Sequence, residues 1–242
     1  MAATMVCAHR GNSAYFPENT LVALRSGCDI GVPMAEIDVH RTADGPIVVM
    51  HDHAVDRTTN GSGAIAEMNL EQIRALDAGS WMSPDFAGEK VPTLAEVLDL
   101  CRERGMFLCI EIKQDGIAPD VARVIDECRM ADDVIVISFS FDTVVAMREL
   151  RPAIAAGWLT GEIDPARLDA VISRCLSNGI MTVSAHYAAL TPEVVERCRL
   201  RGMTVYAWTI DEGPVAKPYA EMGVDVIASN DPKMMQEYLA GL

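Results

Sequence analysis

Apolar runs rich in β-branched residues alternate with amphipathic stretches along almost the whole chain, and this alternation constrains the fold more than any other feature. Strands of that composition are buried on both faces, so each needs helices to cover it; a parallel sheet wrapped by its own crossover helices meets the need. Strands are predicted near residues 4–8, 34–39, 47–50, 106–112, 134–138, 153–159, 180–185, 203–208 and 224–228. Helical periodicity falls near 19–30, 93–104, 118–130, 141–150, 164–177, 191–201, 213–222 and 231–240. Helix-start chemistry recurs at Thr93, at Asp164 before Pro165, at Thr191 before Pro192 and at Asp231 before Pro232. Gly105, Gly179, Gly202 and Gly223 stand where helix C-caps belong. Eight βα units in 242 residues predict an α/β fold of the TIM-type (β/α)8 barrel kind, which uses about 250 residues as one unit. A single barrel domain over 1–242 is expected.

The rhythm breaks at residues 53–92, where TTNGSG, DAGS, SPDF and FAGE surround one short helical pattern, EMNLEQIRAL. This is expected to be a small inserted subdomain after the second strand region. TTNGSG lacks the GK[ST] or GxGxxG context of a phosphate-cradling loop and reads as a turn.

Charge limits the partners. Twenty Lys and Arg against 35 Asp and Glu give a net charge of −15, which repels nucleic acid and anionic membranes over most of the surface. A small anionic substrate remains open only where a metal or a few cations reverse that field. There is no signal-peptide pattern and no run of 18 apolar residues, so stable membrane insertion is not expected. The seven cysteines are odd in number, lack CxxC spacing and lie mostly in apolar stretches, as buried free thiols in a reducing cytoplasm would. A cytoplasmic protein is expected, with homo-oligomerisation left open.

The chemistry concentrates at strand ends. In MAEIDVH the period of two puts Glu36 and Asp38 on one strand face, and in FLCIEIK it puts Glu111 with Lys113. His9 and Arg10 follow the first strand, and His51 ends the second segment of a hairpin. In such a barrel the C-terminal strand ends converge on the face where ligands bind, so these residues should be neighbours. Three carboxylates without cysteine suit a hard cation, Mg²⁺ or Ca²⁺, better than structural zinc. Three carboxylates, a divalent ion, Arg10, Lys113 and one phosphodiester are together neutral; without the ion the site would be negative before substrate arrived. Two histidines add a base for the nucleophile and an acid for the leaving alkoxide. These parts describe metal-assisted phosphodiester cleavage.

The segments AHRGNSAYFPENT, EIDVHRTADGPIVVMHD, DRTTNGSG, VPTLAEVL, CIEIK, GMTVYAWTID and GVDVIASNDP together resemble the glycerophosphodiester phosphodiesterase family, in order and over nearly the whole chain. The resemblance implies a TIM-type barrel with an insertion that hydrolyses glycerophosphodiesters to glycerol 3-phosphate and an alcohol, in lipid and glycerol metabolism. It implies His9 and His51 as the catalytic pair and Glu36, Asp38 and Glu111 as ligands of one divalent cation, Mg²⁺ or Ca²⁺ with Mn²⁺ also compatible. Arg10 and Lys113 match the phosphate-contacting cations, and Trp208 would line the substrate pocket. One departure is Asn230 in ASNDP, where the family often has Asp; it is expected to touch only pocket-edge contacts.

Plainer roles fit the remaining candidates. His40 shares the face of Glu36 and Asp38 but lies where the strand should turn, which favours a structural or rim role; His53 suits turn hydrogen bonding. His186 ends a strand on the expected active face, as a substrate contact or a loop residue. Trp81 and Phe86 are expected in a small core of the insertion. Two alternatives stay open: a phospholipase D-like or cyclising phospholipase, told apart by a cyclic phosphate product, and a non-catalytic phosphoester-binding barrel, which would not need an acid and base pair.

Overall fold

The computed structural model describes residues 4–241. Nine strands form one sheet: β1 (Met5–His9), β2 (Met34–Arg41), β3 (Ile47–Val49), β4 (Phe107–Ile112), β5 (Val134–Ser138), β6 (Ala155–Thr160), β7 (Thr182–His186), β8 (Thr204–Trp208) and β9 (Val226–Ser229). Eight of them run parallel, in the order β1-β9-β8-β7-β6-β5-β4-β2, and pairing of β1 with β2 closes the ring. β3 lies outside it, antiparallel to β2. This is the expected TIM (β/α)8 barrel.

Period-two alternation divides each strand between two cores. Ala8, Ile37, Ile110, Val136, Val183, Val205 and Ile227 face outward and join the main cluster with the helices α1 (Leu21–Asp29), α3 (Leu94–Arg104), α4 (Ala118–Cys128), α5 (Phe141–Leu150), α6 (Leu168–Ser177), α7 (Pro192–Arg199), α8 (Gly213–Met222) and α9 (Pro232–Ala240). Cys7, Cys109, Ile137, Leu159, Tyr206 and Ala228 form two small clusters of the other set, which fills the barrel. Gly157 shows how tight that filling is: a Cβ there would lie 2.9 Å from Thr182 Cβ and 3.1 Å from Ile137 Cγ2.

Local chemistry sets the helix ends. Thr93 caps α3 in a capping box with Glu96, and Gly105 ends that helix in the left-handed conformation at φ 65°. Thr191 and Asp231 cap α7 and α9 as expected. The helix expected from 164 begins instead as a 3-10 turn, Pro165–Arg167, capped by Asp164; α6 proper starts at Leu168. Among the described residues no helix is long and apolar enough to cross a membrane. All seven cysteines are free, and six are buried.

Between β3 and α3 the chain makes its long excursion. It contains α2 (Leu70–Ala75) and two 3-10 turns, and its Val55, Ile65, Ile73, Ala78 and Val91 pack with Val48 and Met50 in a cluster separate from the barrel. Trp81 is not in that cluster: it is exposed, with its indole N–H donated to the Ala78 carbonyl. The segment is short of bulky apolar residues, so aliphatic side chains nearest the barrel fill its core and the aromatics stay at its edge. Phe86 packs on Phe16 of the loop after β1, ring centroids 5.5 Å apart. The Val49 amide donates to the Pro92 carbonyl, returning the excursion to the barrel wall.

Candidate active site

Strand register assembles the site. His9 pairs with Glu36 across β1 and β2, and Asp38 pairs with Glu111 across β2 and β4. The hairpin to β3 sets Val39 opposite Val49, and the Met50 amide donates to the Asp38 carbonyl, so His51 emerges beside the end of β2. His40 holds it there through a 3.2 Å contact from Nε2 to the His51 carbonyl, a structural role.

A cavity of about 170 Å³ opens at the C-terminal face. His9, Arg10, Glu36, His51, Glu111 and Lys113 form its polar side, and Ile137, Phe139, Leu159 and Trp208 form much of the other. Asp38, 1% exposed, sits behind that wall. The residues expected together are therefore together, with two exceptions in detail. His186 does not line the cavity. It stands behind Trp208 at 5.3 Å between ring centroids, stacks on Tyr187, and its Nδ1 accepts from the Ala188 amide, because the chain turns into a 3-10 helix directly after β7. Asn230 is more than an edge contact, as its bond to His9 shows below.

Glu36, Asp38 and Glu111 each offer a carboxylate oxygen within 4.8 Å of the others, all three residues buried. Burial pushes the Glu36 carboxyl well up, and the charges of Asp38 and Glu111 push it further. Glu111 is pushed up to about 7, by burial first and then by Asp38, against the pull of Lys113. Burial would raise Asp38 too, but Arg10 and Lys113 outweigh it and hold the carboxyl below its usual range. Asp38 Oδ1 has no hydrogen-bond partner, only an ion-pair contact 3.4 Å from Lys113 Nζ. Oxygen donors alone, mutual repulsion and an orphaned carboxylate oxygen fit a hard divalent cation.

The cations are fastened to this cluster. Lys113 Nζ is 2.7 Å from Glu111 Oε1, and Arg10 Nε is 3.3 Å from Asp38 Oδ2. Arg10 also donates its backbone N–H to Glu36 Oε2 and Nη1–H to Glu18 Oε1. That backbone contact requires a left-handed turn: Arg10 has φ 57° and Gly11 φ 84°, and a Cβ on Gly11 would meet Ala23 at 2.8 Å. Holding Arg10 there costs about 1–2 kcal/mol, which its contacts to Glu36, Asp38 and Glu18 offset.

Both histidines have fixed tautomers. Asp52 Oδ1 lies 2.7 Å from His51 Nδ1. Hydrogen bonds from Arg57, then from His51, hold the Asp52 carboxyl well below the usual range, so it only accepts and Nδ1 carries the proton. His9 Nδ1 lies 2.7 Å from Asn230 Oδ1; the Asn230 amide nitrogen donates to Asp211 Oδ2, so the oxygen faces the ring and again Nδ1 is the donor. Each ring is thus left with an Nε2 lone pair, and that of His9 sits 3.9 Å from Glu36 Oε2. Burial and the Arg10 charge lower the His9 pKa. Asn19 completes the frame, donating from Nδ2 to Asp38 Oδ2 at 2.8 Å and accepting the Asp38 amide.

Sequence reasoning gave Asn230 only a pocket-edge role and did not assign Asp52, Asp211, Glu18, Arg57 or Asn19. All of them stand inside the quoted segments, Asp52 in HD, Glu18 and Asn19 in PENT, Arg57 in DRTTNGSG and Asp211 at the end of GMTVYAWTID, but their partners are set only by the fold.

Comparison with known proteins makes the class a TIM-barrel phosphoric diester hydrolase. The chain matches the Glycerophosphoryl diester phosphodiesterase family over residues 9–234, and it belongs to that family. It is 34% identical, over 96% of each chain, to a glycerophosphodiester phosphodiesterase of Caldanaerobacter subterraneus subsp. tengcongensis. Among solved structures it resembles an Oleispira antarctica phosphodiesterase in complex with the product sn-glycerol-3-phosphate, with TM-score 0.89, 29% identity and coverage of 98% and 97% of the two chains. A glycerophosphodiester phosphodiesterase from Agrobacterium tumefaciens matches with TM-score 0.84 and 28% identity, over 97% and 99% of the two chains.

Proposed function

We propose that this chain hydrolyses a small glycerophosphodiester to glycerol 3-phosphate and an alcohol, with His9 and His51 as acid and base. The observation that carries the reading is the pair of histidines, each tied at Nδ1, lining one cavity together with Arg10, Lys113, Glu36 and Glu111. A binding module has no use for two imidazoles in fixed tautomers. The cavity, at about 170 Å³ and with cations on one side, suits a small phosphodiester head group.

Glu36, Asp38 and Glu111 would hold one divalent cation, which when bound supplies fixed positive charge against the phosphate oxygens. The chain's own groups do the rest. Nε2 of one histidine takes a proton from the attacking water, and the other, having first taken up a proton at Nε2 from solvent, gives it to the departing alkoxide. Arg10 and Lys113 face the charge that grows on the non-bridging oxygens, and both are held in place before substrate arrives. Trp208 and Phe139, edge to face at 5.8 Å, form an apolar wall of the cavity opposite the histidines and cations, against which the carbon skeleton of the substrate can rest.

The test is a panel of phosphodiesters given to metal-stripped protein and to the same protein after addition of Mg²⁺, Ca²⁺ or Mn²⁺, with products identified. Release of glycerol 3-phosphate only after addition of a cation supports the proposal. Turnover that survives exhaustive chelation removes the metal, and a cyclic phosphate as the final product removes simple hydrolysis.

A further inference from the structure

The geometry points to Arg57 as a positioning residue that acts on His51 and on Arg10 at once, one through Asp52 and the other through Glu18. Arg57 lies in the excursion, five residues beyond Asp52, and the catalytic reading above gives it no part. Its guanidinium meets two carboxylates. Nε donates to Asp52 Oδ2 at 2.7 Å and Nη2 to Asp52 Oδ1 at 3.2 Å; Nη1 donates to Glu18 Oε2 at 2.9 Å and Nη2 to Glu18 Oε1 at 2.8 Å. A planar fork with paired contacts on both sides fixes the two carboxylates relative to one another, which a lysine could not do.

Each carboxylate then passes the constraint inward. Asp52 Oδ1, shared with Arg57, takes the His51 Nδ1 proton at 2.7 Å. Glu18 Oε1, also shared with Arg57, takes the Arg10 Nη1 proton at 2.9 Å. Arg10 in turn touches Asp38 and Glu36. One guanidinium thus joins the loop after β1 to the loop after β3, and it ties a proton-transfer residue to a phosphate-contacting one. A plain staple between two loops would need only one of these four contacts, and would not need its acceptor atoms to be those that hold His51 and Arg10.

Only the kinetic half of the test rests on the proposed function. Arg57→Met and Arg57→Lys are compared with the parent in steady-state kinetics on a glycerophosphodiester at saturating divalent cation. The His51 ring is followed by ¹⁵N NMR in protein labelled at histidine, without substrate. For Arg57→Met, kcat should fall about 10- to 100-fold through His51 and KM should rise several-fold through Arg10, with Arg57→Lys between it and the parent. The His51 Nδ1 resonance should move from a protonated position toward the average of two tautomers. Should Arg57→Met fail to fold, Asp52→Asn and Glu18→Gln divide the roles: the first should lower kcat and disturb the His51 resonances, the second should raise KM and leave them unchanged. Parental kcat and KM in Arg57→Met, lost activity with undisturbed His51 resonances, or identical kinetic changes from the two divided variants would each overturn the assignment. Unchanged tautomer signals refute the Arg57 role even in a protein that turns over no phosphodiester, so the two readings fail separately.

Discussion

His9 and Asn230 face each other across the first and last strands of the barrel, Nδ1 to Oδ1 at 2.7 Å, and Asp211 on the far side fixes which end of the amide His9 meets. A neutral acceptor therefore orients the His9 imidazole while the carboxylate Asp52 orients that of His51. Asn230→Ala leaves the ring free to rotate and change tautomer, and kcat should fall about 10- to 100-fold. Asn230→Asp keeps an acceptor at the same place and should retain most of the activity. Steady-state kinetics of the two variants at saturating cation decide it: an Ala variant as active as the parent means that His9 needs no holder.

His9 and His51 should act as a unit. Either replaced by Ala is expected to lose roughly 10² to 10⁴ in rate. The double replacement should cost far less than the product of the two, because one proton transfer without the other gives no turnover. Near-additive losses in a double-mutant cycle would assign them independent roles.

Most of the fold was legible because burial on both faces of eight strands leaves few alternatives, and because caps such as Thr93 and Gly105 are local chemistry. The carboxylates and cations were legible for the same reason: a period of two fixes the face, and the barrel fixes the end. What escaped depends on contacts between distant segments. Nothing near Asn230 in sequence announces that Asp211, from the β8–α8 connection, turns its amide toward His9. For His186 the sequence left a substrate contact and a loop role both open. It lies on the expected face, but the turn after β7 carries its ring behind Trp208.

The excursion should restrict the leaving group. It departs next to His51 and sets Phe86 against Phe16, the loop that follows Arg10. Small glycerophosphodiesters should be cleaved well and long-chain lysophospholipids poorly, measured as kcat/KM on matched head groups. Better turnover of the lysophospholipids would show that the excursion leaves the mouth open.

Acid stability should register the Arg57–Asp52 pair. The Asp52 carboxyl is held well below its unfolded value, about 4, first by Arg57 and then by His51. A depressed folded value contributes stability that is complete above the unfolded one and is lost as pH falls through the folded one. The melting difference between the parent and Asp52→Asn should therefore stay constant from about pH 8 to 5 and shrink below about 4. Both partners are partly exposed, so the contribution should stay below about 1 kcal/mol. A difference that widens on acidification contradicts the pairing.

Lys113 has two partners, Glu111 Oε1 at 2.7 Å and Asp38 Oδ1 at 3.4 Å, and it lines the cavity beside them. Burial alone would lower its pKa, but those two carboxylates outweigh it and raise the value, so the ammonium stays charged. If it served only to balance the carboxylates, a bound divalent ion would make it redundant. If it also meets a non-bridging phosphate oxygen, its charge favours the extra negative charge of the pentavalent transition state. Lys113→Met keeps most of the length and removes the charge. At saturating cation kcat/KM should fall by about 10² or more, equivalent to roughly 2.7 kcal/mol of lost stabilisation. Cation affinity, followed by titration calorimetry, should be unchanged or tighter because a nearby positive charge has gone. Parental kcat/KM in that variant would leave Lys113 as a counter-ion of Glu111 and nothing more.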